Sequence, residues 1–160
     1  MCMKYINTNI QCFDITTKDL FGNVGFSSIL ESVKSKQIDD KFLIDGFNIV
    51  TFINIRGTKS ESNPNNPVDM KKKLSFRIRL TKLSENEEEQ ISYDLNDFDI
   101  DLSDEAIIKK ACFKYTERIE VTTIDNLTLD KNGSYVIKVL VKESDKKLYD
   151  VQMLHPLFIR

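Results

Sequence analysis

Residues 94–105, DLNDFDIDLSDE, crowd Asp94, Asp97, Asp99, Asp101, Asp104 and Glu105 into one short stretch. A hard cation such as Ca²⁺ needs several carboxylate and carbonyl oxygens around one point. On a strand, Asp97, Asp99 and Asp101 would project from one face as three oxygen donors in a row. The calcium-loop pattern is not met: it needs Gly at its sixth position and Glu at its twelfth, where counting from Asp97 finds Leu102 and Ile108. Phe98, Ile100 and Leu102 alternate with the aspartates, which suits a strand with one buried face and one solvated acidic face.

Basic residues lie upstream. Lys71, Lys72 and Lys73 lead into SFRIRL, whose exposed face carries Arg77 and Arg79. Such a patch holds phosphates with an affinity that falls steeply as salt rises. It lacks interleaved aromatic residues, and Glu85, Glu87, Glu88 and Glu89 follow across the next turn, so cross-strand ion pairing is the plainer account.

Nucleophilic chemistry would draw on Cys2, Cys12, Cys112 and the single histidine, His155. One histidine does not make a multi-His zinc site, and no C-x-x-C pair occurs. His155 as base beside Cys12 or Cys112 has the right residue types without a recognisable spacing. Placed before Pro156, it reads more simply as an extended residue. The phosphate-binding, dinucleotide-binding, nucleophile-elbow and H-E-x-x-H motifs are all missing, so neither a cofactor nor a common enzyme class is expected.

The elements that must position these residues are mostly strands. In KKLSFRIRLTKL, Leu74, Phe76, Ile78 and Leu80 alternate with polar residues; after the turn SENEEEQ, Ile91, Tyr93 and Leu95 resume the period. ERIEVTTI repeats it with Ile119 and Val121. Tyr135, Ile137, Val139 and Val141 follow Asn132-Gly133, a strong hairpin signal, and Tyr149, Val151 and Met153 run back after a turn at 143–147. KFLIDGFNIVTFINI (41–55) is apolar enough for a central strand with a bend at Gly46.

Two segments have helical features. SDEAIIKKACF offers an N-cap at Ser103, and FSSILESVKSKQI (26–38) fits either a helix or an edge strand. Residues 57–73 read as a long polar loop. The expected fold is mainly β, a single antiparallel β-sandwich domain over 1–160, immunoglobulin-like or C2-like, with one or two short helices. DDKFLIDGFNIV (39–50) resembles the GK-x-x-LIG-x-F stretch near the start of a family of small bacterial β-sandwich proteins. NGSYVIKVLVKESDKKLYDVQM is similar to that family's closing hairpin, although Asp45 stands where the family has an apolar residue beside glycine. The resemblance implies the fold and carries no function.

The totals agree with a globular chain: 160 residues, 41% hydrophobic, 30% charged and a net charge of −2, which gives no global attraction to nucleic acid or membrane. MCMKYINTNIQCF lacks the apolar core of a secretory signal, so a cytoplasmic setting with reduced thiols is expected. The sequons at Asn126 and Asn132 then lose their meaning. Abundant Asn, Lys and Ile suggest an AT-rich bacterium, phage or mobile element.

The tail, MLHPLFIR, sets Leu157, Phe158 and Ile159 side by side, without the alternation of a half-buried strand. It is either a final strand or strap covered on both sides by its own domain, or an apolar edge that docks on a partner. The leading expectation is a non-catalytic protein-interaction module that binds another protein or itself through Leu157, Phe158 and Ile159. Nucleic-acid binding through Lys71, Lys72, Lys73, Arg77 and Arg79 is the alternative. A metal-dependent protein or enzyme using Asp97, Asp99 and Asp101 comes third.

Overall fold

The computed structural model describes residues 6–18, 20–21, 23–55, 59–60, 63–67, 73–101, 116–143 and 146–160. They form strands β1 (Ile6–Lys18), β2 (Val24–Ile29), β3 (Ser32–Val33), β4 (Lys36–Ile38), β5 (Lys41–Ile55) and β6 (Lys59–Ser60). Then follow β7 (Asn63–Pro67), β8 (Lys73–Leu83), β9 (Glu89–Asp101), β10 (Thr116–Leu129), β11 (Gly133–Glu143) and β12 (Asp150–Ile159). The fold is mainly β, with no helix among the described residues. One main sheet runs β10-β5-β1-β2, with β4 beside the start of β5; the second runs β3-β12-β11-β8-β9. The short β12–β3 contact is parallel, and the other described pairings are antiparallel.

One hydrophobic core draws on both sheets. Leu74, Phe76, Ile78 and Leu80 of β8 and Ile137, Val139 and Val141 of β11 are fully buried, as the alternation predicts. Ile10, Cys12, Ile44, Phe47, Ile49 and Ile53 face them from the first sheet. The central position of β5 is also as expected: it is flanked by β10 on one side and by β1 and β4 on the other. A Cβ at Gly46 would sit 3.1 Å from the Ile124 carbonyl, which explains glycine in that strand.

Val50 is fully buried although it points away from this core, and the reason is a folded-back hairpin. Beyond the Phe13–Asn48 pair, β1 leaves β5 and pairs with β2 alone. At the bend, Asn48 Nδ2 donates to the Asp14 carbonyl (3.1 Å), and Ser28 adopts φ 59° opposite. Phe26 then stacks on Phe13 at 4.9 Å and meets Phe52 edge-on at 5.9 Å. In register Phe26 lies opposite Thr16 and Phe52 opposite Asn9, so a flat ribbon would hold them about 23 Å apart along the strand. The hairpin therefore covers the outer face of its own sheet.

One open choice is decided and three expectations change. Residues 26–38 are the short strands β2, β3 and β4, the helical alternative failing as the chain crosses from one sheet to the other. The polar excursion at 57–73 holds the paired strands β6 and β7. Asn132-Gly133 does not close a hairpin: β10 and β11 belong to different sheets, and only Gly133 of the two takes positive φ (109°). In ERIEVTTI, Thr122 and Ile124 face the core, whereas Ile119 is exposed on the other face. The inner row of this edge strand is polar because Thr122 accepts a hydrogen bond from Asn96 Nδ2 across the sheets (3.1 Å). The helix expected from Ser103 lies outside the described residues.

Candidate functional site

The outer face of the second sheet contains most of the residues singled out for chemistry, and it divides in two. On β8, Arg77 and Arg79 point outward between the buried positions. On β9 the sequence changes phase: Tyr93 opposes Leu80 on the inner side, and so does Asn96 oppose Ile78, with Leu95 as the extra residue of a bulge. The bulge turns Asp94 and Asp97 outward to face Arg79 and Arg77. Arg77 Nε and Nη2 donate to the two carboxylate oxygens of Asp97 at 2.8 and 2.9 Å, a bidentate pair. Arg79 Nε donates to Asp94 at 2.6 Å, and Lys73 pairs with Asp99 at 2.8 Å. Arg77 also lies 4.7 Å from the centre of the Tyr149 ring, and Lys142 5.0 Å from it.

The acidic stripe and the basic patch are thus each other's partners. Hydrogen bonding to Arg77 lowers the Asp97 pKa, and hydrogen bonding to Lys73 does the same for Asp99. The partners of the arginines are these aspartates; of the glutamates after the turn, Glu89 reaches β11 and pairs with Lys138. No cluster of three or more His, Cys, Asp or Glu able to hold a metal occurs among the described residues. Lys71 and Lys72 lie outside those residues.

Cys12 and His155 line the same cleft, of about 520 Å³, where β1 and β12 approach. Burial pushes the Cys12 thiol up to about 12 and pushes His155 below its ordinary value, so the thiol stays protonated and the imidazole neutral near pH 7. No hydrogen bond joins them among the described residues. Cys112 lies outside the description. A second hollow, of about 490 Å³, lies at the sheet ends near Phe42, Asn86 and Asn132; its Lys82 ammonium is turned to the Leu83 carbonyl at 2.6 Å.

The tail residues separate by face. β12 pairs with β11 along its length, so Leu157 (2% exposed) and Ile159 (0%) are core residues and unavailable to a partner. Phe158 alone of the three is at the surface, 49% exposed. Alternation does exist here, hidden in the sequence because both faces are apolar. Val151, Leu154 and Pro156 continue the outward row from Phe158, with Val151 and Leu154 each 54% exposed. Buried Val136 and Leu140 of β11 lie beside it in register with Pro156 and Val151.

The edge of β12 has its own character. The N–H groups of Phe158 and Arg160 point away from β11, to the carbonyls of Glu31 (3.4 Å) and Val33 (3.0 Å). Two residues back, Pro156 occupies the same row without an N–H, so the free stretch of this edge lacks a donor at its middle. Neither a protein-family model, nor a curated protein, nor a solved structure matches the chain, so function is argued from its own geometry.

Proposed function

We propose that the chain is a non-catalytic protein-interaction module, a β-sandwich of immunoglobulin-like or C2-like type, that docks through the outer face of β12. The supporting observation is the row Val151, Leu154, Pro156 and Phe158: four exposed apolar residues in succession with no charged side chain among them. Scattered exposed apolar residues need no explanation, whereas a contiguous row on one strand is the usual mark of an interface. Pro156 disfavours strand addition at this edge, so the partner is met by side chains on the sheet face. A cytoplasmic setting in a bacterium, phage or mobile element accompanies this reading. No helix among the described residues is long and apolar enough to cross a membrane.

The test is a photo-crosslinking amino acid at Leu154 or Phe158, with one at Asp97 as control. Discrete protein adducts at the first two sites and none at the third are expected; adducts distributed equally over all three would remove the assignment. The ion-paired face is expected to give no shift with DNA or RNA at low salt. A shift abolished by Arg77→Glu with Arg79→Glu would instead favour the phosphate-binding alternative.

A further inference from the structure

We infer that the cleft between β1 and β12 binds an uncharged aromatic small molecule with one N–H or O–H donor, an indole or a phenol in kind, and that His155 receives that donor. The cleft's volume, about 520 Å³, falls within the range of roughly 300–1,000 Å³ usual for small-molecule sites. Its walls are fixed by the fold. On one side the Leu30 N–H donates to the Cys12 carbonyl (2.9 Å), and the Glu31 carbonyl accepts from the Phe158 N–H (3.4 Å). On the other side β12 runs along β11, while β3 covers only Phe158 and Ile159. His155 and Pro156 therefore border the opening with no strand beside them. Cys12, Leu30, Tyr135 and Leu157 give the cleft an apolar interior, and exposed Ile29 and Phe158 stand in the same lining. The cleft is distinct from the outer docking row, with which it shares only Pro156 and Phe158.

The polar groups of the cleft select the ligand. His155 stands opposite fully buried Ile137 and so belongs to the inner row of β12, with Met153, Leu157 and Ile159. It is the polar member of an otherwise apolar row, and its ring has no hydrogen-bond partner among the described residues. Burial keeps the imidazole neutral near pH 7, which leaves one of its nitrogens as an acceptor. Next to it, Pro156 turns a carbonyl and no N–H off the free edge, and no described backbone N–H donates to that oxygen. The rim thus offers acceptors to a ligand that brings a donor, while the ligand's ring displaces water from the apolar interior. Charge argues against the other ligand classes. Neither Lys nor Arg occurs among the described lining residues, and Glu31 is the charged one, so a carboxylate or phosphate would meet no counter-charge. A buried ammonium would give up its water with only that exposed carboxylate in return.

Titration of the full chain with indole, followed by NMR of the amides and the imidazole, tests the site. Saturable shifts are expected at Cys12, Leu30, His155 and Leu157, with a Kd of about 1 mM or tighter. 1-Methylindole keeps the ring and lacks the donor, so it should bind about fivefold more weakly. Indole-3-carboxylate, with the same ring and a negative charge, should bind about tenfold more weakly than indole. His155→Phe keeps an aromatic ring and removes the acceptor. It should weaken indole about fivefold and leave 1-methylindole unchanged, with the amide spectrum away from the cleft preserved. The absence of shifts at about 10 mM indole overturns the site, as do shifts spread over the surface instead of the cleft. Equal affinity for indole and 1-methylindole on the parent chain overturns the donor requirement, and an indole affinity untouched by His155→Phe overturns the imidazole as its receiver. Indole-3-carboxylate binding as tightly as indole overturns the selection against anions.

Discussion

The outer face of the second sheet is two surfaces joined along β11. On the β8–β9 side, every described outward arginine has a carboxylate: Arg77 with Asp97, Arg79 with Asp94. On the β12 side the outward row is apolar and no described residue covers it. Each half reads as a binding site in isolation, one for phosphate or metal and one for protein. The paired half has already used its charges internally, while the apolar half leaves its surface in water. Charged residues mark a site only when their partners are missing from the same fold.

The sharpest way to break this comparison is within β12 itself. Ile159→Ala is expected to cost about 3 kcal/mol or more, because it removes fully buried methylenes and leaves a cavity in a shared core. Phe158→Ala, one residue away, should cost about 1 kcal/mol at most, since half of that ring is already in water. Denaturant unfolding of both variants measures the difference at dilutions where association is negligible. Equal losses would mean that Phe158 is a core residue and the exposed row is misassigned.

On the charged half, Arg77→Ala is expected to cost about 1 kcal/mol, through the lost bidentate pair and the lost contact with Tyr149. Asp97→Ala should cost less, because its side chain is the more exposed member (54% against 26%). A double-mutant cycle should return a coupling below about 1 kcal/mol. A coupling several times larger would show that the pair is far less screened than its exposure implies, and would make this half a structural centre.

Much of this architecture was legible. Leu74 to Leu80 and Tyr135 to Val141 follow period two so cleanly that one face could only be core. The failures have physical causes. Both faces of β12 are apolar, so alternation in burial leaves no alternation in residue type, and the residue types do not separate a covered final strand from a docking edge. Asn132-Gly133 has hairpin chemistry, yet turn residues do not encode whether the next strand joins the same sheet. The phase reversal on β9 did leave a signal: Ile91, Tyr93 and Leu95 put odd positions inside, while Asp97, Asp99 and Asp101 put them outside. A strand cannot satisfy both without a bulge, and the bulge is what delivers the aspartates to the arginines.

Pro156→Ala tests the edge against the face. It restores an N–H where the free edge lacks one and should change folding stability little, since the residue is exposed. Its effect belongs in association: self-associated species absent from the parent chain should appear in sedimentation, formed through main-chain pairing. If the variant associates like the parent chain, the missing donor has no protective role.

The smallest effect concerns pH, and it separates the two halves by window. Burial lowers the His155 pKa from its ordinary 6.5, so the folded chain binds fewer protons than the unfolded one in the interval below that value. Stability therefore rises with pH across that interval. The neutral imidazole's contribution is present in full above about 6.5 and declines as pH falls from there to the depressed folded value. The carboxylates act lower. Asp97 and Asp99 are held below 3.8 by Arg77 and Lys73, so their contribution is present above 3.8 and is lost as pH falls through the depressed values. His155→Gln should flatten the upper step and leave the lower one, whereas Asp97→Asn should shrink the lower step, Asp99 keeping its share, and leave the upper one. Melting temperatures at closely spaced pH values read both steps. An upper step that survives His155→Gln would mean another group titrates beside the β1–β12 cleft, and the imidazole would lose its place as the pH-sensitive element on the apolar side.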